Sequence, residues 1–327
     1  MNPPDPVFIC GHRKSGTTLL QNLLDSHINI CAYPSDLNLL YAYFPICDGQ
    51  IWTDSEKKDR LEKVIFSDLL SNEIIRKKIN ITELRCKFWT NSKNLNTNNI
   101  IECLIKSFFE IEGRDSHKVF LFKETSCEIY AKEIISWFPR ARFIQIIRDP
   151  RDNFASIKSG VGGYYSKLGE DEKHSLSSLI YRASIGLKMC SANIGAFGED
   201  RYMYLRYEDL CTNPRLELDR IANFLKIEKW FNLPKPTILG ENVPGNNFEN
   251  EKFFNINALN VGRWSERITR EEAQTIEFHF GDLLEEYGYE RKYSNEDAIS
   301  SVSEQYKHSN YKYFFSDRFQ EKNTENK

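Results

Sequence analysis

The stretch Gly11-His12-Arg13-Lys14-Ser15-Gly16-Thr17-Thr18 constrains this chain most, because it separates two different hydrophobic patterns. Before it, Val7 to Cys10 is an unbroken apolar run that suits a buried parallel strand. After it, Leu19, Leu20, Leu23 and Leu24 recur at helical spacing. A strand, a glycine-bounded loop and a helix in that order aim several backbone N–H groups and the positive end of the helix dipole at one point, which suits a phosphate. Thr17 and Thr18 fall at the helix start, where their hydroxyls can cap it or donate to phosphate oxygens.

The nucleoside-triphosphate pattern G-x-x-x-x-G-K-[ST] is nearly met from Gly11 to Thr18, but Thr17 stands where that pattern needs lysine. The cation sits instead at Lys14, before the second glycine. A kinase needs its lysine after that glycine to reach the β- and γ-phosphates of ATP, so a small-molecule kinase is the lesser enzyme reading. A nucleotide-binding protein without catalysis is the non-enzyme reading, and it has no need of Lys14. A net charge of −3 over 327 residues gives no general pull toward nucleic acid, so any anion site must be local.

Further along, Val119 to Phe122 reads as a second strand, Ile129 to Trp137 as a helix, Arg142 to Ile147 as a third strand and Tyr202 to Leu205 as a fourth. Asp149-Pro150 opens another helix with proline in its first turn. Strands alternating with helices predict an α/β fold: a single domain with a central parallel sheet flanked by helices. The domain is expected to span 1–295, with a helical insertion at 46–118 suited to acceptor specificity and a polar tail at 296–327. Asn91 to Asn99 reads as a surface loop, and 214–226 and 270–287 as helices.

The eight cysteines are scattered without a C-x-x-C pair or a histidine at ligand spacing, which predicts buried free thiols, no zinc site and a reducing compartment. The chain enters its first apolar run at once, and no stretch approaches the ~20 apolar residues of a membrane span. A cytoplasmic enzyme is expected.

At the loop the sequence resembles the sulfotransferases that use 3′-phosphoadenosine 5′-phosphosulfate (PAPS), whose donor loop reads [PR]-[KR]-S-G-T-[ST] after a first strand. Arg13-Lys14-Ser15-Gly16-Thr17-Thr18 matches it. The resemblance implies a P-loop-like fold, a PAPS co-substrate, Lys14 on the bridging oxygen and the following residues on the 5′-phosphate. It also implies a 3′-phosphate site made by an arginine at a strand end and a serine eight positions on, which Arg148 and Ser156 satisfy. Physically, Arg148 offers a bidentate fork to an anion, and Ser156 two helical turns on offers one hydroxyl. Taken alone, Arg148 pairs equally well with Asp149 or Asp152, and Ser156 reads as a helix-surface serine. Leu205 to Leu210 resembles the family's YEDL segment, in which the tyrosine, here Tyr207, or its neighbours lie near the adenine, although the pattern also suits any helix N-terminus. Gly262-Arg263-Trp264 resembles a closing loop, with Arg263 either a second 3′-phosphate ligand or a surface arginine. The pattern is most like the bacterial and protein-tyrosine branches, in which D-x-H ends the first helix, as Asp25-Ser26-His27 does.

Sulfuryl transfer needs in-line geometry, charge neutralisation and a base. Lys14 supplies charge, and Lys123 resembles a lysine that this branch places near the sulfate; a solvated strand-end lysine is the other reading. His117 precedes a strand and His12 lies inside the loop, which leaves carboxylates for the base. Asp36 falls where similar chains carry an acid, although Ser35 or Asp36 could simply cap a helix through Leu39 and Leu40. Glu124 is the second candidate. The acceptor implied is a hydroxyl of a carbohydrate, a lipid-linked glycan or a small metabolite, with no metal required.

Overall fold

Alternating side chains sort the first strand between two layers. Val7 and Ile9 of β1 (Pro6–Cys10) join one buried cluster, and Phe8 and Cys10 join the other. In the computed structural model, which describes residues 4–47, 52–113, 115–245, 254–294 and 296–297, β1 is the middle of a parallel sheet. The other strands are β2 (Ile30–Asp36), β3 (Val119–Lys123), β4 (Arg142–Ile147) and β5 (Tyr202–Arg206), in the order β2-β3-β1-β4-β5. One face carries an aromatic ladder, with Phe8 stacked on Phe122 at 5.5 Å and on Phe143 at 5.6 Å, and Phe143 on Tyr202 at 5.4 Å. Each such side chain, fully buried, contributes about 1.5–3 kcal/mol.

The other face is covered by α1 (Thr17–Asp25), whose Leu20, Leu23 and Leu24 pack on Val7, Ile9 and Leu121. From β2 the chain passes through α2 (Leu39–Ala42), α3 (Asp54–Leu61), a π turn, α4 (Ser67–Ser71), α5 (Glu73–Lys78), α6 (Ile81–Asn91) and α7 (Thr97–Glu112) before entering β3. A 3₁₀ turn, Cys127–Tyr130, leads into α8 (Ala131–Trp137), and α9 (Pro150–Lys158) follows β4. Then come α10 (Glu172–Phe197), α11 (Tyr207–Thr212) and α12 (Pro214–Leu225). After a two-stranded hairpin, β6 (Thr237–Ile238) with β7 (Glu241–Asn242), the C-terminal region holds α13 (Trp264–Arg267), α14 (Arg270–Phe280) and α15 (Asp282–Glu286).

The strands expected at 7–10, 119–122, 142–147 and 202–205 are all present. β2 was not expected, because Pro34 interrupts its pattern; it is tolerated on this edge strand, where the register shifts between Ala32 and Asp36. Asp36 therefore caps no helix: the residue before α2 is Asn38, in the left-handed conformation and without a side-chain cap. The helix expected at 270–287 breaks at Gly281, φ +50°, into α14 and α15. The expected surface loop at 91–99 narrows to 92–96, because α6 runs through Asn91 and α7 starts at Thr97. Of the expected tail only 296–297 lie within the described residues.

Candidate active site

In a parallel sheet the carboxyl ends of the strands all emerge at one edge, and ligands bind there. That edge gathers Gly11 after β1, Asp36 at the end of β2, Lys123 at the end of β3, Arg148 after β4 and Tyr207 after β5. Five separate stretches of sequence thus meet at one place. His117 enters at the opposite end of β3, beside Phe109, and is thereby removed from the chemistry.

Two glycines shape the loop for different reasons. At Gly11, φ +132°, a Cβ would stand 2.2 Å from the carbonyl oxygen of Ile146. At Gly16, φ +103°, it would stand 2.5 Å from the ring of Tyr207. Lys14 itself holds φ +64°, a left-handed conformation that costs a non-glycine residue about 1–2 kcal/mol. Asn153 on α9 offsets that strain: its amide donates to the Arg13 carbonyl at 3.1 Å and to Ser15 Oγ at 2.8 Å. Gly16 leaves the start of α1 without a side-chain cap, so the first-turn N–H groups lack an acceptor from a capping side chain. Thr17 is buried beside it.

Cations crowd this point. Arg148 donates to the Lys14 carbonyl at 3.0 Å and to the Asn260 carbonyl at 2.7 Å, and its guanidinium lies 4.4 Å above the Tyr207 ring. Tyr207 thus serves as a platform for Arg148 and a wall for Gly16. Burial, then the charges of Arg148 and Lys123, bring the Lys14 ammonium down to about 8. Lys123 is buried and donates to Thr18 Oγ1 at 3.1 Å, and it pairs with Asp36 Oδ2 at 2.6 Å. The second oxygen, Asp36 Oδ1, is buried without a hydrogen-bond partner among the described residues. Glu124 is also buried, but its Oε1 accepts the Tyr41 N–H at 2.6 Å and so braces α2.

Ser156 lies on α9, half-buried, on the helix that Arg148 leads into. Arg263 precedes α13 with its guanidinium partly exposed near Glu266. The adjoining Gly262 N–H is held by Asp152 Oδ2 at 2.6 Å, which ties the closing segment to α9. The Arg13 side chain turns away from the loop to Glu170. Asp25 and His27 are occupied elsewhere, Asp25 by Thr237 and Gly240 and His27 by the Glu228 carbonyl.

Three contributors were not legible in the sequence. Asn153, between Arg148 and Ser156 in sequence, clamps the loop. Gln21, one α1 turn beyond the loop, donates to the carbonyls of Tyr33 at 2.7 Å and Ser35 at 3.2 Å, and so holds the irregular end of β2 that presents Asp36. Glu128 accepts the Gly11 N–H at 3.2 Å from beneath the sheet edge, with its carboxyl pushed up to about 7 by burial. The buried ring of His12 stays neutral, its value pushed well below the ordinary range by burial and by Arg13.

Residues 6–232 match the model of the sulfotransferase family. Among solved structures, the chain is similar to the sulfotransferase domain of the curacin biosynthetic pathway, with 17% identity over 89% of this chain and 99% of that one, TM-score 0.58. It is similar also to the sulfotransferase domain of the Synechococcus PCC 7002 olefin synthase, 22% identical over 89% and 97%, TM-score 0.57. A sulfotransferase from Alicyclobacillus acidocaldarius is 13% identical over 89% and 98%, TM-score 0.51. At these identities the likeness establishes the fold. No curated protein matches the sequence.

Proposed function

The chain belongs to the sulfotransferase family, and from that premise we propose how its residues divide the work of moving a sulfuryl group from PAPS to a hydroxyl. The enzyme is a PAPS-dependent sulfotransferase that releases adenosine 3′,5′-bisphosphate. One observation carries the assignment of the donor site. Lys14, Arg148 and Lys123 converge on the uncapped start of α1, in a chain whose net charge is −3. Cations gathered beside uncapped first-turn N–H groups favour binding of an anion, and Lys123 already meets one in Asp36.

Bound PAPS supplies an activated sulfuryl group joined to a phosphate leaving group. The loop from Arg13 to Thr18 holds its 5′ end: backbone N–H groups and the Thr17 and Thr18 hydroxyls surround the phosphate, with Ser15 and Gly16 setting the turn. Lys14 neutralises charge at the bridging oxygen. Arg148 and Ser156 take the 3′-phosphate, with Arg263 as a second arginine and Tyr207 beneath the first. Asp36 is the general base, held and oriented by Lys123 through Oδ2. Glu124 supports the wall on that side through Tyr41.

The acceptor is a hydroxyl on a carbohydrate, a lipid-linked glycan or a small metabolite, selected by the helical segment 46–118. All cysteines except Cys86 are buried, which suits a reducing compartment, and we place the enzyme in the cytoplasm. Incubation with sulfur-labelled PAPS and a fractionated extract of the source organism tests the reading. A labelled sulfate ester is expected; release of adenosine 3′,5′-bisphosphate with no labelled ester in any fraction would contradict a hydroxyl acceptor.

A further inference from the structure

Arg13 belongs to the donor loop by sequence, yet its side chain is taken up by a segment 157 residues further on. Both terminal nitrogens donate to the Glu170 carboxylate, at 2.8 Å and 2.6 Å, and the guanidinium plane lies 4.6 Å from the centre of the Tyr165 ring. A planar cation is therefore held at its edge by a carboxylate and at its face by an aromatic ring. The two holding groups are fastened to each other, since the Glu170 N–H donates to the Tyr165 carbonyl at 3.0 Å. They are fastened also to α10: Ser175 Oγ donates to Glu170 Oε2 at 3.2 Å, and the neighbouring Asp171 caps the helix through the His174 N–H at 2.7 Å. The backbone on the other side is equally committed, with Asn153 on the Arg13 carbonyl. Lys14, the next residue, sits in its strained left-handed conformation between these two restraints and the Arg148 contact to its own carbonyl.

We propose that Glu170 is a positioning residue for sulfuryl transfer, acting through Arg13 to hold the donor loop in the shape that presents Lys14 and the first-turn N–H groups to the 5′ end of PAPS. The Arg13 side chain serves the loop from outside and is no donor ligand of its own. The segment from Gly160 to Glu170 is thereby a buttress of the donor site, although none of it lies in the loop.

The inference rests on the donor reading above, and its test is built to separate the two. Calorimetry would compare adenosine 3′,5′-bisphosphate, which engages loop and 3′ site, with adenosine 3′-monophosphate, which lacks the 5′ group. If the wild-type enzyme binds neither, the donor reading fails. Given wild-type binding, Glu170→Gln and Arg13→Gln should each weaken the bisphosphate about tenfold, and the double variant should lose no more than about tenfold, because the two act as one unit. Affinity for the 3′-monophosphate should stay within about twofold in all three. Equal losses for both ligands would mark a general structural role and overturn the proposal. So would an unchanged Glu170→Gln affinity, or additive losses of about a hundredfold in the double variant, which would make Arg13 a donor contact in its own right. Circular dichroism at the assay temperature confirms that each variant is folded before the comparison is made.

Discussion

The Lys123 ammonium stands 2.6 Å from one oxygen of Asp36, while the other oxygen of that carboxylate is buried without a partner among the described residues. A carboxylate so held is oriented through one of its oxygens. Asp36→Asn keeps the shape and removes the basicity. Turnover should fall by about 10²–10⁴-fold while affinity for adenosine 3′,5′-bisphosphate is retained. Steady-state kinetics with PAPS and any accepted hydroxyl checks this, and near-normal turnover would move the base elsewhere.

Gln21 should matter more than a helix-surface glutamine would. Its amide holds the Tyr33 and Ser35 carbonyls, and with them the kink that aims Asp36. Gln21→Leu should lower kcat about tenfold with little change in donor affinity, and should cost about 1–3 kcal/mol of stability from the buried carbonyls left unpaired. Parallel kinetics and denaturant unfolding measure both, and an unchanged kcat would show that the kink holds without it.

Lys14 gives the free enzyme a pH signature. With its ammonium lowered to about 8, the charge that meets the donor is present below that pH and lost above it. The dissociation constant for PAPS should therefore rise as pH passes 8, by at most about tenfold per unit, and Lys14→Arg should flatten the profile because a guanidinium stays charged. A wild-type profile flat to about pH 9.5 would be inconsistent with this.

Glu128 should make stability, as distinct from binding, depend on pH. It is buried among Cys10, Cys127, Tyr202 and the Gly11 N–H with Arg182 nearby, and burial pushes it up to about 7 from an ordinary 4.5. A raised value means that the fold favours the neutral acid. The stabilisation is complete below the unfolded value and is lost as pH rises through the folded one, on the order of 2–3 kcal/mol. Melting temperature should fall from about pH 5 to pH 8 in the wild type and fall less in Glu128→Gln; parallel curves would show that Glu128 is ionised throughout.

Much of this site was legible because its chemistry is local in sequence. Strand, glycine loop and helix are neighbours at residues 6–25, and Arg148 follows its strand directly. The pieces that were not legible depend on partners far along the chain. β2 breaks its own pattern at Pro34 and is recognisable only by its pairing with β3. Gln21 carries no sign of the carbonyls it holds, and Arg13 gives no hint of Glu170. Asp36 is singled out only by resemblance, with a helix cap as its other reading, and its setting at a strand end beside a buried lysine is not written in its neighbours. Periodicity reports which face of an element is buried; it does not report which distant polar groups meet at a sheet edge.

On the proposed division of labour, a 3′-phosphate site at Arg148 and a 5′ site at the loop together select this donor over ordinary nucleotides. Calorimetric titration with adenosine 3′,5′-bisphosphate and with ADP, on the wild type and on Arg148→Ala, tests it most directly. The bisphosphate should bind about 100-fold more tightly than ADP, a difference of about 2.7 kcal/mol, and Arg148→Ala should erase most of that preference. Equal or tighter binding of ADP by the wild type would contradict the account.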